Sequence, residues 1–152
     1  MLLILYEMLF DDNCIFGIDV EHGFSVYGVT YKTIREYVMV QKACFFNRID
    51  IWEKLRNGAD PKCPFDWYNA DLKRFYPYLE CYIKDALDAV YSNEEMQKIL
   101  VDTGTESLGY ATSDAILGLG MEKVHIDFGG EPHGKNIYGK YLEHLRDTYK
   151  QK

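Results

Sequence analysis

Thr33-Ile34-Arg35-Glu36-Tyr37-Val38-Met39-Val40-Gln41-Lys42 is the stretch on which the reading of this 152-residue chain turns. Thr33 and Glu36 form a T-x-x-E capping box, which predicts a helix beginning near Ile34 and running to about Phe46. Its apolar positions, Ile34, Tyr37, Val38, Val40 and Phe45, cover a wide face, so the helix is expected to be largely buried. Upstream, Phe24 to Tyr31 is β-like, with Gly28 at a turn or bulge. Downstream, Ile49 to Asn57 reads as a short helix stopped by Gly58, and Asp60-Pro61-Lys62-Cys63-Pro64 as a loop. Asp71 to Tyr91 has helical spacing, with Pro77 expected in a first turn or at a kink.

Ser92 and Glu95 form a second capping box before a helix that Gly104 would stop. Val124-His125-Ile126-Asp127-Phe128 alternates as a strand does. Asn136 is placed to cap a last helix ending near Tyr149. The apolar opening Met1-Leu2-Leu3-Ile4-Leu5-Tyr6 soon meets Glu7, Asp11 and Asp12. It has no basic lead and is too short to span a bilayer, so Leu2 to Tyr6 is expected as a buried strand and the chain as cytosolic. The sum is an α+β fold, mainly helical with a small sheet, in one domain over residues 1–152.

Composition narrows the partners. The formal net charge of -7 argues against a long nucleic acid as the main partner, and none is expected, because a phosphate backbone demands clustered Lys and Arg. One phosphorylated small molecule held by a local donor cluster stays compatible with that charge. Cys14, Cys44, Cys63 and Cys81 lack C-x-x-C spacing, and no disulfide framework is expected. Cys44 and Cys81 fall in predicted helices and read as small core residues. His22, His125, His133 and His144 have no H-E-x-x-H spacing, so no metal is expected. There is no G-x-x-x-x-G-K-[ST] and no G-x-S-x-G, which leaves nucleotide-loop and acyl-transfer chemistry without support.

Scattered elements are more informative than any compact motif. Gly28-Val29-Thr30-Tyr31 leads into the Thr33 helix with Tyr37, Gln41 and Lys42. Then come Phe75 to Tyr91 with Ala86-Leu87, Leu100-Val101-Asp102-Thr103-Gly104, Asp114-Ala115-Ile116-Leu117-Gly118-Leu119-Gly120, and Gly134, Asn136 and Gly139. In that order, from about residue 24 to 149, the chain resembles the YbiA-like (NADAR) family. That resemblance implies a YbiA-like α+β fold and hydrolysis of an N-glycosidic bond in a ribosylated or ADP-ribosylated ligand, with no cofactor. The family's helix glutamate falls on Arg35 and its histidine on Glu36; its loop tryptophan falls on Leu117.

Cleaving a C–N ribosyl bond passes through an oxocarbenium-like state, which calls for a carboxylate and for donors that stabilise the leaving base. Glu36 and Asp114 are the candidate catalytic carboxylates. Glu36 also reads as the capping partner of Thr33, and Asp114 as a turn cap. Arg35, Gln41, Lys42, Gly118, Gly120, Lys135 and Asn136 are the candidate ligand-binding residues. Arg35 is unable to act as a base near neutral pH but pairs with anions. Lys42 and Lys135 suit an anionic group, the two glycines a close backbone approach, and Asn136 an anion-binding turn at a helix start. A second reading keeps the pocket without the reaction: a catalytically silent relative that sequesters a nucleotide-derived ligand. A third is a protein-binding scaffold. Oligomeric state is not legible.

Overall fold

The computed structural model describes residues 6–67 and 70–151. Four short strands, β1 (Met8–Phe10), β2 (Phe24–Val26), β3 (Val29–Tyr31) and β4 (Leu108–Tyr110), accompany six helices. These are α1 (Ile34–Phe45), α2 (Ile49–Arg56), α3 (Tyr76–Val90), α4 (Glu94–Val101), α5 (Lys123–Asp127) and α6 (Ile137–Lys150). The architecture is α+β and mainly helical. Its strands form two separate pairs: β1 with β4, parallel, and β2 with β3, antiparallel.

The β2–β3 hairpin turns at Tyr27 and Gly28, both at positive φ, the conformation a two-residue hairpin loop requires. Thr33 then starts α1 as its sequence predicts, its hydroxyl accepting from the Glu36 amide at 3.1 Å. Ile34, Tyr37, Val38, Val40 and Ala43 bury the inner face of α1 against α2 and α3. Pro77 sits in the first turn of α3, where its missing N–H costs nothing, and a short 3₁₀ turn at Leu72–Arg74 precedes it. Helix α6 packs on α3, α4 and β4.

Close backbone packing explains two of the late glycines. A Cβ on Gly139 would lie 2.2 Å from the Leu108 carbonyl oxygen, and one on Gly134 only 2.1 Å from that of Gly118. The start of α6 is therefore pressed directly against β4 and the 114–120 loop.

Several expectations are corrected. Val124 to Phe128 is helical (α5), since five alternating residues with no partner strand also satisfy one helical turn anchored on the Glu122 carbonyl. Asn93, not Ser92, caps α4: its side chain accepts from Glu95 and Met96. Asn136 precedes α6 in the left-handed conformation and its side chain makes no cap bond. Cys44 and Cys81 are exposed and free rather than in the core. The strand expected over residues 2–6 lies, apart from Tyr6, outside the described residues. No helix among the described residues is long and apolar enough to cross a membrane.

Two buried tyrosines give a test of how the core treats polar atoms. The Tyr138 hydroxyl donates to the Phe16 carbonyl at 2.6 Å. The Tyr91 hydroxyl has no partner among the described residues. Burial pushes both phenols' pKa up. Tyr138→Phe is expected to cost about 1–2 kcal/mol in urea denaturation, because it orphans a buried carbonyl. Tyr91→Phe removes an unbonded hydroxyl and is expected to be neutral or stabilising by up to about 1 kcal/mol. Equal losses in the two variants would defeat this account.

Candidate functional site

The guanidinium of Arg35 organises the region where α1 begins. Its Nε donates to Asp19 Oδ1 at 2.5 Å, and its Nη2 donates to Asp19 Oδ2 at 3.1 Å and to Asp12 Oδ2 at 3.3 Å. The Tyr110 hydroxyl donates to the other oxygen of Asp12. The loop after β1 places these acids. Asp11 Oδ1 accepts from the amides of Asn13 and Cys14, folding the chain back, and the Asp19 amide donates to the Asp12 carbonyl. Gly17 permits that tight return, since a Cβ there would meet the Asp11 and Asp12 carbonyl oxygens at 2.3 Å. Burial opposes the charge on Arg35, but Asp19 and Asp12 outweigh it and hold its pKa above the usual value. Burial, and then the bond to Asp12, raise the Tyr110 pKa well above the ordinary range, so its phenol stays a donor.

Glu36 points elsewhere. Its carboxylate accepts from Arg56 Nη1 at 3.3 Å instead of returning to Thr33, so only half of the capping box forms. Arg56 also donates to the Thr30 carbonyl and lies over the Tyr31 ring, 5.1 Å from its centroid. These residues border a cleft of about 500 Å³ with Lys32 and Asp60. A one-residue step on a helix turns a side chain through roughly 100°, which accounts for Arg35 and Glu36 facing different surroundings.

Asp114 closes its own loop. Its Oδ1 accepts from the amides of Ile116 and Leu117 at 2.8 and 2.9 Å. Gly118 is buried where a Cβ would strike Thr112 Cγ2 and the Tyr110 carbonyl oxygen, and Gly120 turns the chain at φ +80°. Leu117 is buried in the core. Asn136 is fully buried; its Nδ2 donates to the Leu108 carbonyl at 2.9 Å and its Oδ1 accepts from the Tyr110 amide at 3.0 Å. Lys135 is exposed, its amide bonded to the Ala115 carbonyl. Burial raises the pKa of the Tyr31 phenol, and the neighbouring Gln41 side chain opposes that rise. Lys42 lies 4.4 Å over the Trp67 ring, and burial lowers its pKa.

Two hollows flank α5 and share Glu122. One, of about 300 Å³, is bordered by Asp12, Asn13, Thr112 and Lys123. The other, of about 670 Å³, is bordered by Ser113, Gly120, His125 and Phe128. Phe128 is 88% exposed. Arg35 and the glycine loop therefore do meet, through Asp12 and Tyr110, whose carbonyl accepts from the Leu119 amide. Among the described residues, Glu36 borders the Arg56 cleft, which Asp114 does not reach, and Lys42 lies over Trp67. Among the described residues no group of three His, Cys, Asp or Glu is arranged to hold a metal ion.

No protein-family model matches the chain, and no curated protein matches it. A solved structure does. The NMR structure of the E. coli protein YbiA superposes with a TM-score of 0.70, over 97% of this chain and 88% of that one, at 22% identity.

The chain has a YbiA-like fold.

Within that scaffold, Gly134, Gly139 and Asn136 seat α6 against β4 and the 114–120 loop. At 22% identity the likeness speaks to the fold alone. Sequence reading missed Asp12, Asp19 and Tyr110. A signal was present: an arginine at the start of a helix expected to be buried calls for acidic partners, and Asp11-Asp12 and Asp19 lie in the preceding segment.

Proposed function

We propose that this protein binds an N-ribosylated small molecule in the hollows flanking α5. What carries the reading is the arrangement there. Two hollows of ligand size share Glu122, and the larger is bordered by the glycine turn at Gly120 and by an exposed aromatic ring, Phe128. An exposed phenylalanine beside a cavity suits a planar heterocycle, which stacks on a ring face. The polar groups suit a sugar. Ribose hydroxyls donate to carboxylates and accept from Asn13, Thr112 and Lys123.

Charge selects among the ligands the sequence allows. Asp11, Asp12 and Glu122 face a single cation, Lys123, in the smaller hollow. Unneutralised phosphates are repelled there, whereas a ribose bearing a neutral or cationic base is not. The second pair expected to hold an anion, Lys42 and Lys135, adds no counterweight, since Lys42 is taken up by Trp67. Hydrolysis by Glu36 and Asp114 together draws no support from this geometry. Asp114 Oδ1 is held by two amides, and Glu36 lies in the Arg56 cleft.

A thermal-shift panel tests the reading with nicotinamide riboside, ribosylated pyrimidines, ADP-ribose, NAD and ribose phosphates. A riboside at about a hundredfold its dissociation constant is expected to raise Tm by roughly 5 °C or more. Ribose phosphates are expected to give less. Phe128→Ala is expected to reduce the shift while leaving the unliganded Tm within about 1 °C, because its ring contributes little to the core. No shift with any riboside, or a shift untouched by Phe128→Ala, would remove this assignment.

A further inference from the structure

We propose that residues 121–132, which carry α5, form a flap that closes over the molecule bound in the two hollows, with Phe128 as the ring it lays on that molecule. The proposal rests on the binding reading above and adds how the site opens and shuts. Leu119 and Asn136 are fully buried, and no residue between them is. From Lys123 to Pro132, every backbone hydrogen bond among the described residues stays within the segment. The Ile126 amide donates to the Glu122 carbonyl, that of Phe128 to Val124 and that of Gly130 to His125. Among the described residues no ion pair joins this segment to the body.

The segment is pinned where it leaves the body and where it returns. Met121 bridges Thr112, and the amides of Gly134 and His133 both donate to the Leu119 carbonyl, at 2.8 and 3.1 Å. Its two ends therefore lie side by side, the arrangement of a loop that swings as one piece. Glycine stands at both bends, Gly120 at φ +80° and Gly129 at φ +94°. A Cβ on Gly129 would meet nothing within 4 Å, so the backbone conformation, and not packing, calls for glycine there.

The exposed apolar side chains supply the reason to close. Phe128 is 88% exposed and Val124 50%, four residues apart and so on one side of α5. Val124 borders the smaller hollow and Phe128 the larger. A hollow of about 670 Å³ is too wide for one ring to fill, so the protein alone gives Phe128 no close-packed partner there. A planar base supplies the missing face, and its contact with the closed state alone is what shifts the flap. Glu122 belongs to the flap and borders both hollows, so a single swing shuts both.

Amide exchange followed residue by residue by NMR tests this, on the free protein and with nicotinamide riboside as the probe, with binding of the same compound measured by calorimetry. The amides of Ile126 and Gly129 are hydrogen-bonded and border neither hollow. In the free protein they are expected to exchange at least about 10²-fold faster than those of Tyr138, Leu142 and Leu145 in α6. At a riboside concentration about a hundredfold its dissociation constant they are expected to slow by about tenfold or more. Because these two residues do not line the site, slowing there reports the helix held down as a unit. Exchange at Ile126 and Gly129 as slow as in α6 without riboside would show a fixed lip and overturn the flap. So would measured binding with no slowing at those two amides, a result that leaves the binding reading standing. No binding of any riboside would remove both.

Discussion

Asn136→Ala is expected to lower the unfolding free energy by about 3–5 kcal/mol. Strand β4 pairs along one edge with β1; its other edge meets the Asn136 side chain, which both donates to Leu108 and accepts from Tyr110. The amide group thus occupies the place of a neighbouring strand. Removing it orphans a buried N–H and a buried C=O, each worth about 1–3 kcal/mol when left without a partner. Asn136 also sits at φ +53°, which asparagine tolerates better than alanine does, adding about 1 kcal/mol. Asn136→Gly relieves the backbone part only and is expected to recover about 1 kcal/mol relative to alanine. Urea denaturation measures all three chains; a loss below about 1 kcal/mol for Asn136→Ala would show that water replaces the amide.

The second large effect is expected from Arg35→Glu. This change puts a carboxylate at the start of α1, and it is expected to destabilise the protein by about 3–4 kcal/mol. The reason lies in the partners. Asp19 is 9% exposed and Asp12 35%, and both face the guanidinium. Glutamate there would set three carboxylates together with no cation among them. Partial exposure of Asp12 keeps the figure below that of a wholly buried pair. The three acids would be forced toward protonation in the folded chain, raising their folded pKa values above the unfolded ones. The variant's deficit should therefore be smallest in acid and grow as pH rises through the carboxylate range. Chemical denaturation at pH 4 and pH 7 tests this. A deficit that is flat between the two, or a stable variant at pH 7, would contradict the network.

Local signals were readable wherever a short stretch of chain decides its own structure. Thr33 marked the start of α1, Gly28 the hairpin turn and Pro77 the first turn of α3, because caps, turns and prolines act over three or four residues. Val124 to Phe128 misled because five residues are too few to separate a period of 2 from one of 3.6. Ser92 misled because Asn93, one residue later, offers a better acceptor to the same amides. For the candidate site the sequence was a poorer guide. Glu36 was legible as a helix-start acid but not as the partner of Arg56, twenty residues away. Asp114, Gly118 and Asn136 were legible as notable positions, and their roles as scaffold parts required the packing of α6 on β4.

By itself, then, the amino-acid order determined the longer helices, the start of α1, the hairpin turn and the net acidic charge. Those properties depend on neighbours in the chain or on sums over it. Only the tertiary structure decided which carboxylate answers Arg35 and which cavity each acid faces. Asp12 and Tyr110 stand 98 positions apart, and Asp19 and Arg35 sixteen. Electrostatic energy depends on distance through space, and distance of that kind comes into being when the loop after β1 folds over α1 and β4.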